Sequence, residues 1–205
     1  MIDFRKDFGI EDIRNRSDKQ YSNIYGFIMY TSAHPYITKV LGDDVFWNAL
    51  DEISGKNWPI FAIRPLAQGT YGLPDFPPGY IGFMKSEWKE PNENKKYLDF
   101  FSLGDSENLP CFIAFKFNDD ETIDQVVYKL SNDSEQAAYA SLKTIISLIT
   151  KTESLILPEY KRTDAVFRNV KMDIESYVLR KGVVKGVGKI FRIKEGIASL
   201  LSIQK

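Results

Sequence analysis

Cysteine is nearly absent from this chain: Cys111 is the only one in 205 residues. A single thiol forms no internal disulfide and no multi-cysteine metal site. Histidine is as scarce, with His34 alone, which excludes paired-histidine metal motifs such as H-E-x-x-H. No run approaches the roughly 18 apolar residues that a membrane-crossing helix requires. The opening Met-Ile-Asp-Phe-Arg-Lys-Asp has no apolar stretch of the kind a secretory signal carries, so a reducing cytoplasm is the expected location. A formal net charge of -1 supplies no overall field to attract nucleic acid or anionic membrane. Neither a metal nor a cofactor is expected.

Hydrophobic residues make up 43% and charged residues 27%, a balance that predicts a packed core. The charge is unevenly distributed. Residues 159–205 carry 11 basic and 5 acidic side chains, against 16 basic and 23 acidic in residues 1–158. This shift, with a linker-like Leu155-Ile156-Leu157-Pro158, divides the chain into three. Residues 1–22 read as a helical arm, 23–157 as the main domain, and 158–205 as a basic helical extension.

Apolar spacing and breakers order the main domain. Asn23 to Thr31 is a short, mostly apolar run and reads as a buried strand. Ser32-Ala33-His34-Pro35 interrupts it and opens a helix, with Pro35 in the first turn and Ser32 as cap. After Gly42, Asp43 or Asp44 caps a second helical run, and Gly55 stands at its C-terminal cap. Phe46, Ala49, Leu50 and Ile53 fall on one face of that run. Trp58 to Ile63 is the next strand, and short connections make it parallel to the first. Residues 64–96 are dense in proline, glycine and aromatics, which excludes a long helix up to Pro78. Tyr97 to Leu103 fits a short helix or an edge strand. Leu109-Pro110 leads into a hairpin, Cys111–Phe117 and Thr122–Leu130. Ser131-Asn132-Asp133-Ser134 caps a helix from about Glu135 to Ile149, with Ala138, Leu142, Ile145, Ile146 and Ile149 buried. Two more helices are predicted at about 163–180 and 184–203, parted near Gly182.

The order strand, helix, strand, long connection, hairpin, helix over about residues 22–150 resembles the thioredoxin-like fold. Phe27–Pro35 stands where that family runs a strand into its active-site helix. Leu50–Gly55 through Ile60–Ile63 matches the end of the helix and the next central strand. Leu109-Pro110 stands where the family holds its cis-proline. The resemblance implies an α/β fold, with a thioredoxin-like mixed sheet flanked by helices and, here, a basic C-terminal extension. It also implies a groove near Tyr30, Ser32, His34, Pro110 and Cys111. The family's Cys-x-x-Cys pair is missing, since Ser32-Ala33-His34-Pro35 occupies its place. Thiol–disulfide exchange needs a thiolate, so this stretch cannot perform it. Cys111, at the head of an apolar strand, reads as a buried structural thiol.

No residue is assigned a catalytic role. Ser32 and His34 are close in sequence, but a nucleophile–base pair also needs an orienting acid, and none is visible. Tyr30 or Ser32 at a helix N-terminus can hold a thiol such as glutathione, as glutathione transferases of related fold do. Asp43-Asp44 and Asp119-Asp120-Glu121 lack the alternating spacing of a calcium loop. Lys181, Lys185, Lys189 and Arg192 make a basic stripe at helical spacing, opposite an apolar side that includes Val184, Val187 and Phe191. The sequence thus predicts a non-redox thioredoxin-like binding protein, with another protein or a second copy as partner. The alternatives are a glutathione-type transferase or other enzyme using the groove, and a peripheral membrane or nucleic-acid binder acting through the basic stripe.

Overall fold

A computed structural model describes residues 1–3, 13, 24–56, 58–62, 96–104, 108–120, 122–161 and 164–181. The proline-rich connection up to residue 95 and the segment 182–205 lie outside these residues, as does most of the N-terminal arm. In chain order the elements are β1 (Ile2–Asp3), β2 (Tyr25–Met29), α1 (Pro35–Gly42), α2 (Asp44–Ser54), β3 (Ile60–Ala62) and α3 (Lys96–Phe100). They continue with β4 (Cys111–Phe117), β5 (Ile123–Lys129), α4 (Glu135–Ser154), a 3-10 turn (Pro158–Tyr160) and α5 (Asp164–Arg180).

The fold is α/β, and its strands form one mixed sheet in the order β1-β3-β2-β4-β5. β2 and β3 are parallel, as their short helical connection requires. β2 lies antiparallel to β4, with Tyr25 opposite Phe115 and Met29 opposite Cys111. The hairpin pairs Cys111 with Lys129 and Phe117 with Ile123.

Side chains alternate across the sheet, and both faces are buried. Ile28, Ile60, Phe112, Ala114, Val126 and Leu130 face a core completed by α1, α2, α4 and α5. Phe27, Met29, Phe61, Ile113, Phe115 and Ile123 face a second core, with Ile13 and the aromatics around α3. Burial on both sides explains why β4 reads as an almost continuous apolar run. Gly26 lies where one face is tightest. A Cβ there would stand 2.7 Å from Phe112 Cζ and 2.9 Å from Trp58 Cζ3. Trp58 packs edge-on against Phe112 and donates its indole N–H to Thr150 Oγ1 at 3.1 Å.

Local chemistry sets the helix ends. Asp43 Oδ1 accepts the Val45 and Phe46 amides at 2.7 and 3.3 Å, starting α2. Gly55, at φ 66°, ends it in a backbone conformation that favours glycine. The buried side of α2 is centred on Trp47 and Leu50, with Phe46 and Ile53 only partly buried. That side lies about one position round from the face its spacing suggests. Ser134 Oγ caps α4 through the Ala137 amide at 3.1 Å. The five apolar residues expected on the inner side of α4 are all fully buried.

α5 occupies the first helix predicted in the basic segment. It buries Val166, Phe167, Val170, Ile174 and Val178 in the same core as α4. Lys116 of β4, itself buried, reaches Asp164 at 2.7 Å and Asn118 at 2.5 Å, with Asp124 at 3.5 Å. Lys116 holds the Asp164 carboxyl below the usual carboxylate range. Thr152 Oγ1 donates to Asp173 at 2.6 Å, and Lys161 meets the fully buried Glu153 at 2.9 Å. Through residue 181, therefore, the segment set apart by its charge shares the core of the sheet.

Candidate functional site

The head of α1 is where chemistry-bearing side chains meet. β2 delivers Tyr30 and Thr31 to the edge of the ladder, and a turn through Ser32 and Ala33 brings His34 back against Thr31. The Thr31 amide donates to His34 Nδ1 at 3.0 Å, and Thr31 Oγ1 lies 3.0 Å from the same nitrogen. Beside this turn runs Leu109-Pro110, whose peptide bond is cis. The Leu109 carbonyl accepts the Lys129 ammonium from β5, and the Pro110 carbonyl accepts the Leu130 amide at 2.9 Å.

α1 has no cap of its own. Pro35 occupies its first turn, and the residue before it, His34, makes no side-chain cap bond to its amides. Asn132, arriving from the turn after β5, accepts the Tyr36 and Ile37 amides through Oδ1, both at 3.1 Å. Ser32, expected as the cap, is exposed instead, because the turn directs His34 rather than Ser32 back toward the strand.

Burial sets the electrostatics. It pushes the Cys111 thiol up to about 12, against a smaller opposing effect of the Lys129 charge. Burial also lowers His34, helped by Lys129 and opposed by the Thr31 and Leu109 backbone. Lys129 is itself lowered by burial. Among the described residues, no cluster of His, Cys, Asp or Glu is placed to hold a metal ion.

No protein-family model, curated protein or solved structure matches the chain.

The five residues of the inferred groove do not line one surface. Tyr30 is fully buried in the helix-side core, and Cys111 is fully buried in the core on the opposite face of the sheet. Pro110 is buried, His34 is half-buried and Ser32 is open to solvent. Among the described residues, no hydrogen bond joins Ser32 to His34, whose Nδ1 is occupied by Thr31. A helix N-terminus binds anions or stabilises a thiolate through its free amides. Here Asn132 takes two of them. Lys181 is exposed, with Nζ 5.8 Å from the Tyr177 ring centroid, while Lys185, Lys189 and Arg192 lie outside the described residues. No helix among the described residues is long and apolar enough to cross a membrane.

Three members of the site escaped sequence reading: Thr31, Lys129 and Asn132. A signal for Asn132 did exist. The run 131–134 holds four cap-forming residues before a helix that uses Ser134.

Proposed function

We propose that the chain is a non-redox, thioredoxin-like binding domain whose partner is another protein or a second copy. The observation that carries this reading is the occupied head of α1. Asn132 fills the position from which free amides would activate a thiol, and the chain's one thiol is buried on the far side of the sheet. The parallel β2–β3 pair, the β4–β5 hairpin and the helix following β2 support the thioredoxin-like part. Exposed Leu155, Leu157 and Tyr160, close together around the turn after α4, offer apolar contact area for a partner. The glutathione-transferase reading needs the amides that Asn132 occupies. The membrane or nucleic-acid reading rests on the stripe from Lys181 to Arg192.

Reduced glutathione tests the enzyme alternative. Titration to millimolar concentration should leave the Tyr36 and Ile37 amide resonances unmoved, and saturable shifts there would restore the transferase reading. The second copy is tested by sedimentation of the full chain beside a triple variant, Leu155→Ser, Leu157→Ser and Tyr160→Ser. Association in the parent that the variant loses supports a second copy as partner. A parent chain monomeric at high micromolar concentration removes that partner and leaves a different protein.

The cap has its own measurable consequence. Asn132→Ala should cost about 1 kcal/mol in urea unfolding, the usual loss for a helix N-cap. An unchanged midpoint would mean that water serves the two amides equally well.

A further inference from the structure

His34 is the chain's only histidine, and it sits where three elements meet. We propose that the Thr31–His34 turn is an acid-operated latch. Protonation of the His34 ring withdraws the acceptor that holds the Thr31 amide and opens that amide to exchange.

The geometry carries this in two ways. First, the β2–β4 ladder ends at the Met29–Cys111 pair, so the Thr31 amide lies beyond it. Thr31 is only 6% exposed, and among the described residues the partner of its amide is His34 Nδ1. A proton on Nδ1 sets donor against donor and leaves a buried N–H without that acceptor. The Thr31 carbonyl, 3.2 Å from Nδ1, works the other way by offering the protonated ring an acceptor. That carbonyl already accepts the His34 backbone amide at 2.9 Å, and the Thr31 hydroxyl oxygen, 3.0 Å from Nδ1, and the Leu109 backbone also favour the charged ring, but none of the three replaces the acceptor that the Thr31 amide loses.

Second, the charges around the ring disfavour another cation. From β5, the Lys129 ammonium is fixed on the Leu109 carbonyl beside it. From β4 comes the Cys111 thiol, neutral at physiological pH because burial raises it to about 12. α1 presents the positive end of its dipole. The one charged side chain of α1, Lys39, is paired with Glu135. In the turn after β5, Asp133 is engaged by the Ser131 hydroxyl at 2.8 Å.

The sign follows from the lowered pKa of His34. The unfolded chain binds the proton more readily than the folded one. The ring's contribution is therefore complete above the ordinary value of 6.5 and declines as pH falls through it. The opening stays local because Ile37, Val40 and Leu41 anchor α1 in the core, the Leu109 backbone keeps its bond to the charged ring and Asn132 is uncharged. This device holds whatever the domain binds.

Proton NMR of the full chain tests the latch, since one histidine gives one ring signal. The ring should titrate below 6.5, and the Thr31 amide should shift with the same midpoint. Across the titration of the ring, Thr31 should lose about tenfold in hydrogen-exchange protection, corrected for intrinsic rates. Ile146, in the α4 core, should keep its protection. His34→Asn places an acceptor that does not titrate near the Nδ1 position and should abolish the transition with Thr31 still protected. The latch is overturned if Thr31 ignores the ring's titration, if Ile146 loses protection in step with Thr31, or if the asparagine variant keeps the response. Should that variant not fold, the parent titration decides alone.

Discussion

A chain ended after Leu157 is expected to lose cooperative folding. Such a deletion removes α5, whose Val166, Phe167, Val170, Ile174 and Val178 are buried in the main core. Burying an aliphatic or aromatic side chain contributes about 1.5–3 kcal/mol, so the five together amount to on the order of 10 kcal/mol. That is comparable with the whole stability of an ordinary domain, about 5–15 kcal/mol. The deletion also uncovers the apolar faces these residues rest on, and it leaves Lys116 in β4 without Asp164. Circular dichroism melting of the shortened and full chains measures the effect. A sharp melt of the shortened chain near the parent temperature would show α5 to be dispensable. Phe167→Ala probes the same contact more gently, with an expected loss of about 3–5 kcal/mol in the full chain.

Gly26→Ala is expected to cost about 2 kcal/mol, and Gly26→Val more, by overpacking a site with no room. The added Cβ meets Phe112 Cζ and Trp58 Cζ3 inside 3.0 Å. Neither ring is free to withdraw. Phe112 is fully buried between β2 and the helices, and Trp58 is tied through its indole to Thr150 on α4. Shortening one obstacle should relieve part of the penalty, so Phe112→Leu with Gly26→Ala should cost less than the two changes added. Urea midpoints of the four proteins give the coupling. Strict additivity would mean that the rings yield to the Cβ without strain.

What the sequence displays plainly is whatever depends on neighbours. The β4–β5 hairpin, the inner side of α4 and the Asp43, Ser134 and Gly55 caps all rest on residues a few positions apart, and each stands in the fold. The features it hides depend on distance. Asn132 lies in a turn before α4 yet serves α1, and no local pattern links residue 132 to residue 36. Gly26 looks like a weak spot in a strand until two rings from other elements close over it. α4 runs on to Ser154 because polar Thr152 and Glu153 are buried and answered by Asp173 and Lys161. Hydropathy alone ends that helix too soon. Charge counting likewise sets residues 158–205 apart, although the apolar positions of α5 within them recur at the spacing of a packed helix. At the site, Ser32 and His34 invite pairing by proximity in sequence, whereas the turn gives the ring to Thr31.

The Asn132 cap also has a consequence in time. Tyr36 and its acceptor are 96 residues apart. A ribosome adding about 5–20 residues each second takes on the order of 5–20 seconds to cover that interval. Throughout it, the amides at the head of α1 must find water or another acceptor in place of Asn132. The N-terminal half of this protein therefore waits, as it is made, for a side chain that has not yet been synthesised.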